Sequence, residues 1–381
     1  MTASPPKLLF LVTEDWYFWS HRLPMARAAR DAGFEVAVAT RVTAHGERIR
    51  SEGFALYAFP WRRGDKTPWR AFRTITEIRR LVRAVQPDLV HAVSVMPVIY
   101  GGLALLWTRR PAFIASLTGM GHALESDQFG ARLLRLPIRT VLWAMLRRAH
   151  TAFIVQNQDH RRVLRQIAPG AAGSVVVIPG SGVDTRHFVP LPDPVERPVT
   201  TAFVGRLLVG KGVRELVAAH GKLRSRGVPV RLLIAGVPDP DGPASLDERE
   251  VLGWLDHSGI VWLGQVEDVR QVWAQAHVAV LPSHHEGLPL SLLEAAACGR
   301  PLIATDIPGC REIAKANVNA LLVRVGDVDA LAAAIERLVR DDELRVQFGN
   351  ASRALVDPEL SGDRIGAATV ALYRRLMGSS C

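Results

Sequence analysis

Two carboxylates eight positions apart, Glu286 and Glu294, mark the stretch Val278–Pro301, VAVLPSHHEGLPLSLLEAAACGRP. Its apolar run Val278–Leu281 predicts a buried parallel strand. The polar turn Ser283–Gly287 follows, and Pro289 stands where the first turn of a helix is expected. Leu290, Leu293, Ala296 and Ala297 would give that helix an apolar stripe, with Gly299 and Pro301 ending it. Unpaired amides at such a helix start accept an anion. One acid at the strand tip and one on the helix flank suit a nucleotide sugar: diphosphate on the amides, one carboxylate on the sugar hydroxyls, the other on the ribose. The spacing alone fits equally well a capped helix bearing two solvated acids.

Cations could complete that site. The segment Gly205–Gly212, GRLLVGKG, follows an apolar run and meets most of a P-loop pattern, but Gly212 occupies the place where Ser or Thr must bind Mg²⁺. An ATPase is therefore excluded. What remains is a glycine-loosened loop presenting Arg206 and Lys211, able to clamp a diphosphate leaving group without a metal. Asp239-Pro240-Asp241 has the form of a metal motif, but its setting, VPDPDGP, is turn chemistry, and no metal is expected there. His122 follows Gly119-Met120-Gly121 and could be aimed at a ligand, as could His91. Lone histidines of this kind are more often structural. The first loop, Glu14–Arg22, is dense in aromatics with Asp15, His21 and Arg22, and suggests an acceptor both apolar and phosphorylated.

Positioning these groups requires parallel sheets. Short runs rich in Val, Ile, Phe and Leu recur at Leu8–Thr13, Phe34–Thr40, Ala55–Phe59, Asp88–Val93, Ala112–Leu117, Thr151–Val155 and Ser174–Ile178. They recur again at Thr201–Val204, Arg231–Ala235, Ile260–Leu263, Val278–Leu281, Leu302–Thr305 and Leu321–Val323. Helical stretches such as His21–Ala32, Trp69–Val85 and Arg132–His150 lie between, the rhythm of βαβ units. The fold class is α/β: two doubly wound, Rossmann-like domains facing across a cleft. The Pro-rich Val189–Pro198 separates an N-terminal domain, residues 1–188, from a C-terminal domain, residues 199–360. A last helix, Arg364–Met377 within residues 361–381, can join the first domain.

The 381 residues suffice for two domains, and 48% hydrophobic with 22% charged describes a soluble globular chain. Cys298, Cys310 and Cys381 form no spaced framework, which suits a reducing cytoplasm. The opening MTASPPKLLFLVTEDW reads as a first strand, not a signal peptide. Residues 1–190 carry 26 Lys and Arg against 13 Asp and Glu, whereas the remainder carries 21 against 24. A basic half suggests an anionic surface or substrate. Residues 89–108 carry no charge, yet Pro97 and Gly101-Gly102 interrupt them, so a strand, a loop and a buried helix are expected there, not a membrane span. Trp61–Arg83 and Phe129–Arg148 combine Arg with Trp on apolar-faced helices, which fits either interfacial membrane contact or an Arg-rich solvent face. Nucleic acid is not expected as a partner, since no zinc, RRM-like or KH-like signature is present.

Taken together, Gly205-Arg206 with Lys211-Gly212, Pro282-Ser283-x-x-Glu286-Gly287 and the later Glu294 resemble the retaining glycosyltransferases of family 4. Thr305-Asp306-x-x-Gly309-x-x-Glu312 and Ile178-Pro179-x-x-Gly182-Val183-Asp184 are similar to that family's pattern too. His21-Arg22-x-Pro24, the Gly119-x-Gly121 loop and the Asp239–Pro243 turn look most like bacterial enzymes that extend undecaprenyl-diphosphate-linked sugars. The resemblance implies a GT-B fold and a metal-independent, retaining transfer with no cofactor. A UDP-sugar donor would be bound by Gly205, Arg206, Lys211, Glu286, Gly287, Leu288 and Glu294. Arg206 and Lys211 would hold the diphosphate, Glu294 the ribose, and Glu286 with the Gly287 and Leu288 amides the sugar. Asp15, His21, Arg22 and His122 would face a lipid-linked saccharide acceptor, His122 being the nearest match to the family's N-domain histidine. The implied setting is the inner face of the plasma membrane, reached through the Arg-rich half. A sugar-nucleotide epimerase on the same fold, and a basic nucleic-acid-binding protein, are the alternatives.

Overall fold

The computed structural model describes residues 4–61, 67–119, 129–239, 244–256 and 259–378. Its contacts divide the chain into two compact units, one made of residues 1–182 with 362–381, the other of residues 183–361.

In the first unit seven strands form one parallel sheet: β1 (Lys7–Glu14), β2 (Glu35–Arg41), β3 (Ala55–Ala58), β4 (Leu89–Val93), β5 (Ala112–Leu117), β6 (Thr151–Val155) and β7 (Val175–Val177). Among the described residues the helices are α1 (Asp15–His21), α2 (Leu23–Asp31), α3 (Gly46–Ser51), α4 (Pro68–Val85), α5 (Val95–Leu105), α6 (Phe129–Arg147) and α7 (Gln158–Ile167). The strand order β3-β2-β1-β4-β5-β6-β7 reverses direction between β1 and β4. Both faces are covered, one by a core around Phe113, Phe153 and Met145, the other by one around Phe10, Phe18 and Tyr373.

The second unit repeats the plan with β8 (Val199–Val204), β9 (Val230–Ala235), β10 (Ile260–Gly264), β11 (Val278–Leu281), β12 (Leu302–Thr305) and β13 (Ala320–Val323). Its helices are α8 (Val213–Ser225), α9 (Glu248–Gly253), α10 (Arg270–Trp273), α11 (Leu290–Ala297), α12 (Pro308–Arg311), α13 (Val328–Arg340) and α14 (Asp342–Val356). The order β10-β9-β8-β11-β12-β13 reverses between β8 and β11, and ligands of open α/β sheets bind at such a reversal, outside the carboxyl ends of the strands. Finally α15 (Gly362–Gly378) returns to the first unit and packs on α2.

All thirteen apolar runs are strands. The stretch 89–108 resolves into β4 and α5, and among the described residues no helix is long and apolar enough to cross a membrane. One local expectation fails. The expected loop after β1 is the helix α1, because its aromatics bury Phe18 against Phe10 and Phe54 (ring centroids 5.6 and 6.2 Å). The Pro-rich segment Val189–Pro198, the expected hinge, and the residues just before it are held by side chains of the second unit. Arg353 donates from Nη1 to the Phe188 and Ala297 carbonyls (2.7 and 3.0 Å) and from Nη2 to Thr185 (3.2 Å). Buried Arg300 donates to Pro192 (2.8 Å), and Asp193 lies 3.9 Å from both Arg300 and Arg345. Proline cannot satisfy itself with a ladder, so side chains from α14 and the β12 approach hold the segment down instead.

Candidate active site

The loops after β8 and β11, neighbours at the reversal of the second sheet, bring Lys211 against Glu286. After β8 the chain turns through Gly205 and Arg206 into a short 3-10 turn, Val209–Lys211, that leads into α8. Gly212 sits between them at φ 70°, and a Cβ there would meet the Pro282 carbonyl oxygen at 2.1 Å. Only glycine lets the two loops approach so closely. The closeness has a use: Lys211 Nζ donates to Glu286 Oε1 at 2.5 Å, with both side chains mostly buried. Arg206 Nη1 donates to Asp239 Oδ2 at 2.6 Å. Asp239 therefore supplies a counter-charge to Arg206, while residues 240–243 lie outside the described residues. Both cations expected to meet a diphosphate are thus already opposite carboxylates.

The Glu286 loop is held from three sides. His284 donates its N–H to the Gly210 carbonyl (2.9 Å), and its Nε2 meets Glu215 Oε1 on α8 at 2.8 Å. Thr305 Oγ1 donates to the Ser283 carbonyl. Gly309, at the start of α12, lies so close that a Cβ would come within 2.3 Å of the Glu286 carbonyl oxygen. His284, Glu215 and Gly309 were not singled out as site residues from sequence. Glu215 lies 69 positions from His284, and no local pattern signals that pairing.

The expected first turn of α11 shifts. Pro289 is its N-cap residue in extended conformation, and the helix starts at Leu290. The Gly287 and Leu288 amides thus precede the helix, and its open first-turn amides are those of Leu290, Ser291 and Leu292. Nor is the buried surface a single stripe, since Leu292, Leu293 and Ala295–Ala297 are all buried while Leu290 is not. Glu294 rides on this helix. Its carboxyl keeps a little exposure, but burial pushes its pKa up from 4.5 to about 8. It is not the solvated acid that spacing alone allowed. Cys310 nearby is pushed up to about 12, by burial first and then by the Glu286 charge, and is chemically quiet.

The residues expected to face an acceptor are placed unequally. Asp15 is fully buried and accepts from the Trp16, Thr43 and His45 amides (2.7, 2.6 and 2.9 Å) and from Thr43 Oγ1 (2.5 Å). With its lone pairs so used, it fixes the β2–α3 loop. His21 stacks on Tyr17 (4.3 Å, 10°) with Nδ1 2.6 Å from Ser20 Oγ. Arg22 is buried; its Nη1 reaches Met25 Sδ at 3.2 Å and its Nε has no partner. His122 lies outside the described residues. His91 is a core residue, with Nδ1 2.6 Å from the Tyr373 hydroxyl on α15 and Nε2 2.5 Å from Ser116 Oγ. Burial, and then the Arg22 charge, hold it well below the usual histidine range, hence neutral.

Comparison with known proteins gives this geometry a family. Residues 7–157 match the family model described as Glycosyl transferase 4-like, and residues 198–341 match Glycosyl transferases group 1. Among curated relatives, the chain is 23% identical over 339 residues to N,N'-diacetylbacillosaminyl-diphospho-undecaprenol alpha-1,3-N-acetylgalactosaminyltransferase of Campylobacter jejuni, covering 86% of this chain and 88% of that one. It is 27% identical over 361 residues to the putative glycosyltransferase EpsD of Bacillus subtilis, covering 91% of each. Sucrose-phosphate synthase from Thermosynechococcus elongatus superposes with a TM-score of 0.81 at 22% identity, over 98% of this chain and 100% of that one. Anabaena HepE in complex with UDP and glucose follows at 0.77 and 17%, over 97% and 99%. The architecture is that of GT-B glycosyltransferases, and with family models matched in both units the chain belongs to the glycosyltransferases with 4-like and group 1 domains.

Proposed function

We propose that this glycosyltransferase moves an N-acetylhexosamine from a UDP-sugar, with retention, onto a lipid-diphosphate-linked saccharide in bacterial surface-glycan assembly. The observation that carries the reading is the meeting of Lys211 and Glu286 at the reversal of the second sheet, with Arg206 on the same β8–α8 connection as Lys211. The name of the Campylobacter jejuni relative supports the acceptor class. When a donor binds, its diphosphate competes with the carboxylates for Arg206 and Lys211. Charge-assisted donors then hold the phosphate oxygens, and Glu286 is released to the sugar hydroxyls. As the C1–O bond to the diphosphate breaks, these cations and the amides ahead of and within the first turn of α11 stabilise the growing negative charge, so no metal is needed. The acceptor oxygen forms its bond to C1 from the leaving-group face and passes its proton to the departing phosphate oxygen. Glu286 positions the sugar and stabilises the cationic transition state. Glu294 meets the ribose. On the acceptor side we assign His21 and Arg22, with Asp15 holding their surroundings.

The decisive experiment is steady-state transfer by Glu286→Ala and Lys211→Ala. Each should lose about 100-fold or more in kcat with folding intact, the scale of losing one preorganised electrostatic contact. Near-normal rates in either variant would defeat the assigned roles. Epimerised donor formed without acceptor would favour an epimerase instead.

The protein is proposed to work peripherally on the inner face of the plasma membrane. Trp69 and Phe72 on α4 are 59% and 70% exposed, and Leu136 and Trp143 on α6 are 74% and 42% exposed, with Arg147 over the Trp143 ring at 4.4 Å. Exposed aromatics among arginines suit an anionic interface. Flotation with vesicles of phosphatidylglycerol should exceed flotation with phosphatidylcholine and fall with salt. Equal flotation would remove this surface from the account.

A further inference from the structure

A hollow of about 230 Å³ opens between the N-terminal halves of α4 and α5, lined chiefly by Trp61, Trp69, Met96 and Tyr100 with Arg70 and Arg73. Trp61 follows β3, and α5 follows β4, so the hollow lies beyond the carboxyl ends of strands in the first sheet. It is small beside a drug-sized pocket and matches a single sugar ring. Trp61 is 2% exposed and held rigid, its amide bonded to the Phe59 carbonyl (2.8 Å) and its ring 4.6 Å from that of Phe59. Yet its indole Nε1–H, buried as it is, meets no acceptor. Buried indole N–H groups nearly always find one, so this donor lacks a partner that a ligand could bring. Arg73 is fixed by Glu77 (2.9 Å) and Arg70 lies over the Trp69 ring (5.6 Å).

We infer that this hollow binds a glycosyl phosphate, the pyranose against the aromatic walls, a ring hydroxyl accepting from Trp61 Nε1–H, and the phosphate toward Arg70 and Arg73. This rests on the proposed transfer to a phosphate-linked saccharide and names where the acceptor's sugar phosphate is held. A bilayer would not explain the site, because Trp61, which carries the unpaired donor, is 2% exposed and out of reach of a flat interface, unlike Trp69 at the rim and Phe72. Aromatic faces with a recessed donor select a small polar ring; Arg adds affinity for its phosphate.

The test uses the full chain, saturated with UDP to occupy the other unit's site, and N-acetylglucosamine 1-phosphate as probe. Saturation-transfer NMR should show the pyranose ring protons against the protein, and binding should weaken about fivefold to tenfold in Trp61→Phe, which keeps the ring but loses one hydrogen-bond donor. Arg73→Ala should weaken the phosphorylated probe and leave free N-acetylglucosamine unaffected. In turnover, Trp61→Phe should raise the acceptor KM with donor KM and donor hydrolysis unchanged. Supplying the sugar phosphate on a lipid carrier or free distinguishes the two sources. No saturation transfer, equal binding in Trp61→Phe and Arg73→Ala, or loss only of vesicle flotation would overturn the inference. Wild-type inability to hydrolyse any UDP-sugar would instead strike the proposed function, and the binding measurement would still decide this site.

Discussion

At the scale of single residues, protonation of Glu294 is the most exposed claim. Its carboxyl titrates near 8 in the folded chain against an ordinary 4.5, because burial penalises the anion. A raised folded-state value means that the group's contribution to stability is intact below about 4.5 and is lost as pH rises through about 8. Thermal stability should therefore decline between pH 5 and 9, and Glu294→Gln should flatten that part of the profile in calorimetry. A ribose diol donating to the carboxylate would favour its ionised form, so UDP binding near pH 7 should release a proton in wild type and none in Glu294→Gln. Buffers of differing ionisation enthalpy read this directly. His91 gives a second test. Tyr373→Phe leaves a buried ring nitrogen unpaired and should cost about 1–3 kcal/mol in denaturant unfolding without altering UDP binding. Residue types were legible in the sequence at Arg206, Lys211, Glu286 and Glu294. Their partnerships were not: Lys211 and Glu286 are 75 positions apart, and nothing local to Asp15 announces four donors converging on it.

At the scale of elements the sequence was more generous. A parallel strand inside a sheet is buried on both faces, so most of the thirteen, such as β11 and β12, read as short apolar runs and need no partner to be recognised, although edge strand β3 is largely exposed. The helix α1 was hidden for the opposite reason: a short aromatic helix has no room for periodicity, and only the tertiary contacts of Phe18 settle it. The register of α11 shifted by one residue because Pro289 serves as its cap. Close backbone approaches are equally invisible beforehand, and they carry predictions. Gly309→Ala must displace the Glu286 carbonyl, so kcat should fall about tenfold or more while the melting temperature drops only a few degrees. Arg353→Ala removes main-chain contacts to Thr185, Phe188 and Ala297 together, and should destabilise the second unit by about 3 kcal/mol, measured by urea unfolding.

At the scale of the whole molecule, charge and chain path matter more than any contact. The excess of arginine falls within residues 1–190, so its screening by salt should weaken vesicle association. The path of the chain has a further consequence. The second unit is continuous, residues 183–361, but the first is completed only by α15, which covers α2 and brings Tyr373 to His91. On the ribosome, β1 to β7 and α2 emerge early, yet the part of their apolar flank that α15 covers must wait until the entire second unit has been synthesised. Vectorial synthesis therefore gives the intervening unit time to fold first, and makes the waiting flank a natural client for chaperones during that interval.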